Sequence, residues 1–225
     1  MARQRLRQED IVKAAIAYID EFGVQSLSMR RLGMSLDVEA MALYNYVSGR
    51  EQLVSLAVDE LIDDLFDEEL MQEQPESWEA FLRFVATAMR DLALGHPRMF
   101  PLMITQPPEA PWLRPPLRSV RWVDYFLTAL TEYGFSDDRV VDTYKAFTSF
   151  LLGQLVLEVS AMGIDIASTT DADADADADS DEDEGLSGYP TLKQLQAKLA
   201  EDHSDREFDD GLDDLIERIR AIKDT

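Results

Sequence analysis

The sequence predicts an all-α fold: an N-terminal three-helix unit followed by a larger helical domain. Three observations carry that expectation. Apolar residues recur at spacings of three and four through most of the chain, the period of a helix with one buried face. The periodic segments are separated by Gly, by Pro or by Ser at capping positions. Residues 28–46, SMRRLGMSLDVEAMALYNY, read as two short helices joined by a tight turn.

The first helix is expected from about Gln8 to Phe22. Ile11, Ala15, Tyr18, Ile19 and Phe22 make its apolar stripe, Glu9 and Asp10 favour its N-terminus, and Gly23 closes it. Ser28 can cap the next helix, with Met29, Leu32 and Leu36 on one face. Asp37 stands where the chain must turn, and Asp is one of the few non-Gly residues that tolerates a left-handed conformation. From about Ala40 a further helix turns Leu43 and Val47 inward, with Met41, Ala42, Tyr44, Asn45 and Tyr46 around the rest. This is the pattern of a helix-turn-helix, whose second helix enters the major groove of DNA. The first helix packs across the pair and completes a domain of residues 1–49. Ahead of it, Arg3, Arg5 and Arg7 form a basic arm that fits a phosphate contact and a frayed terminus equally well.

A fourth helix is expected from near Arg50 to about Glu69, with Leu53, Leu56, Ala57, Leu61 and Leu65 inward and an acidic far end. Pro75 breaks the pattern. A fifth, from about Glu76 to Leu94, is apolar over most of its circumference and central. His96-Pro97 then starts a short helix holding Met99, Phe100 and Met103. Five prolines between Pro107 and Pro116 make a rigid loop that carries Trp112 and Leu113. Helices follow at about Leu117–Tyr133 and Asp137–Met162. The second has so wide an apolar stripe that burial against both its own core and a partner is expected. Residues 163–188 include the run DADADADADSDEDEG, a single-sign, coreless segment expected to be a disordered acidic loop. It lacks the turn Gly and closing Glu of a calcium-binding EF-hand. Helices resume at about Thr191–Leu199 and Asp205–Ile222, the last with Phe208, Leu212, Leu215, Ile216, Ile219 and Ile222 on one stripe.

Composition narrows the function. The 225 residues contain no Cys and two His, so thiol chemistry and a thiol zinc site are excluded; no cofactor and no metal are expected. No enzyme motif stands out. No secretory leader or spanning segment is visible, so the expectation is a cytoplasmic protein without a membrane role. The net charge is −24, but it is unevenly spread. Residues 1–50 hold Arg3, Arg5, Arg7, Lys13, Arg30, Arg31 and Arg50 against Glu9, Asp10, Asp20, Glu21, Asp37 and Glu39. That is a balance of +1, leaving −25 on the remainder. Duplex DNA meets the N-terminal fifth and is repelled by the rest.

The run LSMRRL, then LDVEAMALYNYV, then SGREQL resembles the N-terminal domain of the tetracycline-repressor (TetR) family, through Leu27, Ser28, Arg30, Leu43, Tyr44 and Arg50. The end of the chain resembles that family's C-terminal domain, in a long helix that carries Gly153 and a last helix of the form F-x-x-G-L-x-x-L-I. The pattern departs from the family where Asp37 replaces the usual turn Gly and Tyr46 the usual aromatic or His. The resemblance implies a fourth helix that links the DNA domain to residues 50–225, a helical effector-binding and dimerisation domain. It also implies a homodimer built by the helices at about 137–162 and 205–222. A symmetric dimer implies a palindromic operator in double-stranded DNA.

Candidate DNA-binding residues follow. Glu39, Ala40, Met41 and Ala42 face base edges; Ala and Met suit the thymine methyl, and Glu accepts from cytosine. Arg30 fits guanine or a phosphate. Ser28, Tyr44, Asn45, Tyr46 and Arg50 are assigned to the backbone, which positions without specifying, and Met29 completes the candidate set. A second site is a pocket for a small apolar or aromatic effector. Its candidates are His96, Met99, Phe100, Met103, Trp112, Trp122, Tyr125, Phe126, Tyr144, Phe147 and Thr148. The expected function is a ligand-responsive regulator of transcription, with repression as the family's usual mode. The alternative is a helical dimer that binds a protein partner with weak or no DNA binding.

Overall fold

The computed structural model describes residues 6–67, 75–115, 117–163 and 188–223. All regular structure among them is helical: α1 (Gln8–Phe22), α2 (Met29–Ser35), α3 (Ala40–Leu43), α4 (Arg50–Asp67), α5 (Trp78–Gly95), α6 (Phe100–Thr105), α7 (Val120–Glu132), α8 (Asp137–Ala161), α9 (Pro190–Leu199) and α10 (Ser204–Lys223), with one 3-10 turn at Val24–Ser26. Arg3, Arg5 and nearly all of the acidic segment lie outside the described residues. No described helix is long and apolar enough to cross a membrane.

Helix ends follow the local chemistry. Gly23 takes φ 78° after α1 and Gly134 takes φ 82° after α7, conformations a Cβ disfavours. Ser28, Ser77 and Ser119 cap α2, α5 and α7, each hydroxyl accepting from the amide three residues on at 3.2 Å. The Ser119 cap starts α7 at Val120 rather than near Leu117. α8 ends at Ala161 and α10 runs one residue beyond each expected end.

α1 lies across α4 and α2, burying Ile11, Val12, Ala15, Ile16 and Ile19. Its far end departs from expectation: Phe22 is 51% exposed, its ring tilted against Tyr18 with centroids 4.9 Å apart. The main core lies between α5, α7 and α8. Phe81, Phe126 and Phe147 are buried there, with ring centroids 5.5 Å apart for the first pair and 5.3 Å for the second. α10 lays Phe208, Leu212, Leu215, Ile216 and Ile219 against α8 and α5. Gly211 permits that approach: a Cβ there would stand 2.9 Å from the Phe150 ring. Arg90 of α5 crosses to the buried Glu158 of α8 with Nε 3.1 Å from both carboxylate oxygens, and reaches Asp205 of α10. This buried ion pair pins three helices together, and its desolvation cost is offset by bidentate geometry. α9 stands apart, with Tyr189, Leu192, Leu195 and Leu199 all exposed. Val120 and Val141 are also exposed, so the stripes of α7 and α8 are narrower than their composition implies.

Candidate DNA-reading face and effector cavity

The turn between α2 and α3 is held by backbone geometry. Asp37 sits at φ 52°, the only non-Gly residue with positive φ among the described residues. The Val38 amide donates to the Gly33 carbonyl at 2.9 Å. At Gly33 an added Cβ would lie 2.9 Å from the Val38 carbonyl oxygen and 3.2 Å from the Ala40 nitrogen. Gly33 is therefore the residue that lets α2 and α3 meet, and the sequence reading assigned it no role. A Gly four residues before the turn Asp was the available signal.

Much of the segment around this turn is exposed. Arg30, Glu39, Met41, Tyr44 and Asn45 are exposed, Met41 at 74%, while Ser28, Ala40 and Ala42 lie partly exposed among them. Met34, four residues after Arg30 on α2, is also exposed and was not expected. Three expected contributors are placed otherwise. Met29 is buried in the domain core with Leu32 and Leu43. Tyr46 is half-buried against that core. Arg50 turns inward: its Nε donates to the Leu27 carbonyl at 3.0 Å and its Nη2 to the Val24 carbonyl at 2.7 Å. Arg50 thus anchors the start of α4 to the loop before α2, and those two nitrogens are not open to a phosphate.

The core holds a narrow cavity of about 60 Å³. Six expected residues line it: Phe100, Met103, Trp122, Phe126, Phe147 and Thr148. Ile62 and Leu65 of α4, Met89 of α5, Ile104 of α6, and Leu151 and Leu152 of α8 complete its apolar wall, with Leu117, Arg118 and Ser119 from the proline-rich segment. Arg118 is the one charged lining residue. It was missed because nothing in its local sequence points to a cavity made by distant helices.

Five expected residues lie elsewhere. Met99 is buried but does not line the cavity. Trp112 is 78% exposed beside an open groove. Tyr125 borders a separate small void with Phe84 and Val85. Tyr144 donates its hydroxyl to the Pro115 carbonyl at 3.0 Å, and burial pushes that hydroxyl up to about 12. His96 points to the end of α1 instead. Its Nδ1 lies 2.7 Å from Asp20 Oδ2, and the neighbouring Arg98 donates to the Asp20 and Glu21 carbonyls at 2.6 and 2.7 Å. A cation on the last carbonyls of α1 satisfies their lone pairs and the helix dipole together. The turn before α6 is thereby fixed to the end of α1.

Besides the exposed Arg121–Asp63 pair at 3.4 Å between α7 and α4, two polar ties run from the core to α1 and α4. One is His96 and Arg98 on α1. The other is Arg118 on α4, with Nε 2.6 Å from Asp59 Oδ1 and Nη2 3.0 Å from Asp59 Oδ2 and 2.7 Å from Ser55 Oγ. Asp59 holds the guanidinium firmly in its charged form.

Comparison with known proteins agrees in sequence and fold. The family described as tetracyclin repressor-like, C-terminal domain, matches residues 72–222. An HTH-type transcriptional regulator of Saccharopolyspora erythraea is 28% identical over 74% of this chain and 67% of its own length. The class E tetracycline repressor protein of Escherichia coli is 25% identical over 75% of this chain and 76% of its own. A possible TetR family transcriptional regulator from Streptomyces coelicolor A3(2) superposes with a TM-score of 0.69 at 22% identity, over 96% of this chain and 100% of that one. The S. coelicolor TetR family protein ActR in complex with actinorhodin superposes with a TM-score of 0.66 at 21% identity, over 98% of each chain.

Proposed function

The chain belongs to the tetracycline-repressor family, and from that premise we propose that it is a ligand-responsive transcriptional repressor that binds a palindromic operator as a homodimer and is released by a small molecule. Residues 1–49 read DNA, and residues 50–225 bind the effector and dimerise. The observation that carries the reading is the face around Asp37. Met41 and Ala42 point an apolar surface at thymine methyls, Glu39 takes a cytosine amino group, and Arg30 takes a guanine or a phosphate. Tyr44, Asn45 and Ser28 set the register on the backbone. The second subunit docks on α8, where Leu157 and Met162 stand exposed, and on α10. An apolar or aromatic effector enters the cavity between α4, α5, α6, α7 and α8, and acts by favouring one pose of α4 over the other.

Fluorescence anisotropy with DNA from upstream of the protein's own gene tests this, at two salt concentrations and beside an Arg30→Ala, Tyr44→Ala double variant. Saturable binding that weakens with salt and is lost in the variant is the expected result. A folded dimer that captures no sequence from a random duplex library even at low salt would overturn it.

A further inference from the structure

We infer that Arg118 is the polar anchor of the effector, and that the effector is an apolar, ring-sized molecule carrying one acidic oxygen that displaces Asp59 and Ser55 of α4 from the guanidinium. The inference rests on the reading of the cavity as an effector site, and it names that site's ligand class and its coupling to the reading domain.

Every other lining side chain is uncharged, most are apolar, and Arg118 itself is only 15% exposed. Nε and Nη2 are held by α4, while Nη1 has no hydrogen-bond partner among the described residues. A carboxylate or ionised phenol pushed into such a wall without a cation loses its hydration and gains nothing in return. Beside Arg118 it finds a charge-assisted, bidentate partner.

The competing anion is held more loosely. Asp59 is 44% exposed, so water receives its carboxylate when the guanidinium leaves. A half-exposed ion pair is worth little, whereas the same guanidinium facing a desolvated ligand anion is worth much more. That difference supplies the differential affinity that a switch requires. The cost falls on α4, because Ser55 and Asp59 are one turn apart on that helix and lose a shared donor together.

Space points the same way. A cavity of about 60 Å³ is several-fold too small for a ring-sized ligand, so binding must move a wall. Five helices, α4 to α8, form most of the lining, with the Phe126 and Phe147 rings stacked between α7 and α8. The remaining wall, from residues 106–115 and 117–119, is irregular, and a Glu109 amide to Arg118 carbonyl bond of 3.2 Å is among its few backbone ties. It carries Arg118, so the wall that yields is the one that holds α4.

Two dyes of the same ring system test the proposal on the full chain: 8-anilinonaphthalene-1-sulfonate, an anion, and N-phenyl-1-naphthylamine, which is neutral. Fluorescence titration gives both affinities without any DNA. Arg118→Gln is expected to weaken the anionic dye by about tenfold or more and to leave the neutral dye within about twofold. Arg118→Lys, which keeps the charge, retains most of the anion's affinity. Asp59→Asn is expected to tighten the anionic dye several-fold by removing its competitor, with no effect on the neutral one. That gain keeps the test independent of any folding defect, since a merely structural Arg118–Asp59 pair predicts loss or no change. Both dyes binding with equal response to Arg118→Gln, or a weakened anion in Asp59→Asn, overturns the anchor while leaving the cavity reading intact. If neither dye binds, the cavity reading falls and the anchor with it.

Discussion

In the N-terminal helices, the side chains proposed to meet DNA come from one run, residues 28–45, around one turn. In the core, the side chains around the cavity come from Ile62 through Leu152, on α4, α5, α6, α7, α8 and the proline-rich segment. The first arrangement is built locally: a Ser28 cap, a left-handed Asp37 and a Gly33 with no Cβ suffice to set it. The second exists only after distant helices have assembled. Damage to the two should therefore separate, local in one and global in the other.

The largest expected effect tests the global side. Phe81 is fully buried beside Tyr125, Phe126 and Tyr133. Phe81→Ala should cost about 3–5 kcal/mol by urea denaturation, and it should degrade dye binding and DNA binding together. Gly33→Ala tests the local side. The new methyl meets backbone atoms that cannot rotate away, so about 1–3 kcal/mol of strain is expected. DNA affinity should fall in anisotropy while dye affinity in the cavity stays at the wild-type value. Equal loss of both would break the comparison.

Tyr144 sharpens it through pH. Its hydroxyl titrates near 12 in the folded chain against 10.0 for the ordinary group, so folding favours the protonated form. That contribution is complete below pH 10 and is lost as pH rises from 10 toward 12. Tyr144→Phe should cost about 1 kcal/mol at neutral pH, through the lost bond to Pro115, and should make the alkaline decline of thermal stability shallower. Burial raises Tyr125 and Tyr133 as well, so part of the decline persists. The smallest effect is expected from Ser28→Ala, about 1 kcal/mol from the lost cap, read as weaker DNA binding with an unchanged core transition.

The sequence by itself determined the elements and their punctuation. α1 begins and ends where its caps and stripe place it, Asp37 adopts the turn its side chain tolerates, and the glycines after α1 and α7 take positive φ. These features depend on neighbours within a few residues, so their causes lie in the local sequence. It also placed Met41, Tyr44 and Asn45 on one exposed face, because a short helix has only one side left once Leu43 is buried. The same reasoning failed for Met29, Arg50, His96 and Arg118. Each has chemistry that suits two settings, and the deciding partner is remote: the domain core for Met29, the Val24 and Leu27 carbonyls for Arg50, Asp20 for His96, and Asp59 with Ser55 for Arg118. Periodicity says which way a residue faces on its own helix, but not which helix lies opposite. Only the tertiary structure decided that His96 belongs to the junction with α1 and that Arg118 belongs to the cavity, because a charge is committed by the partner that folding brings within reach.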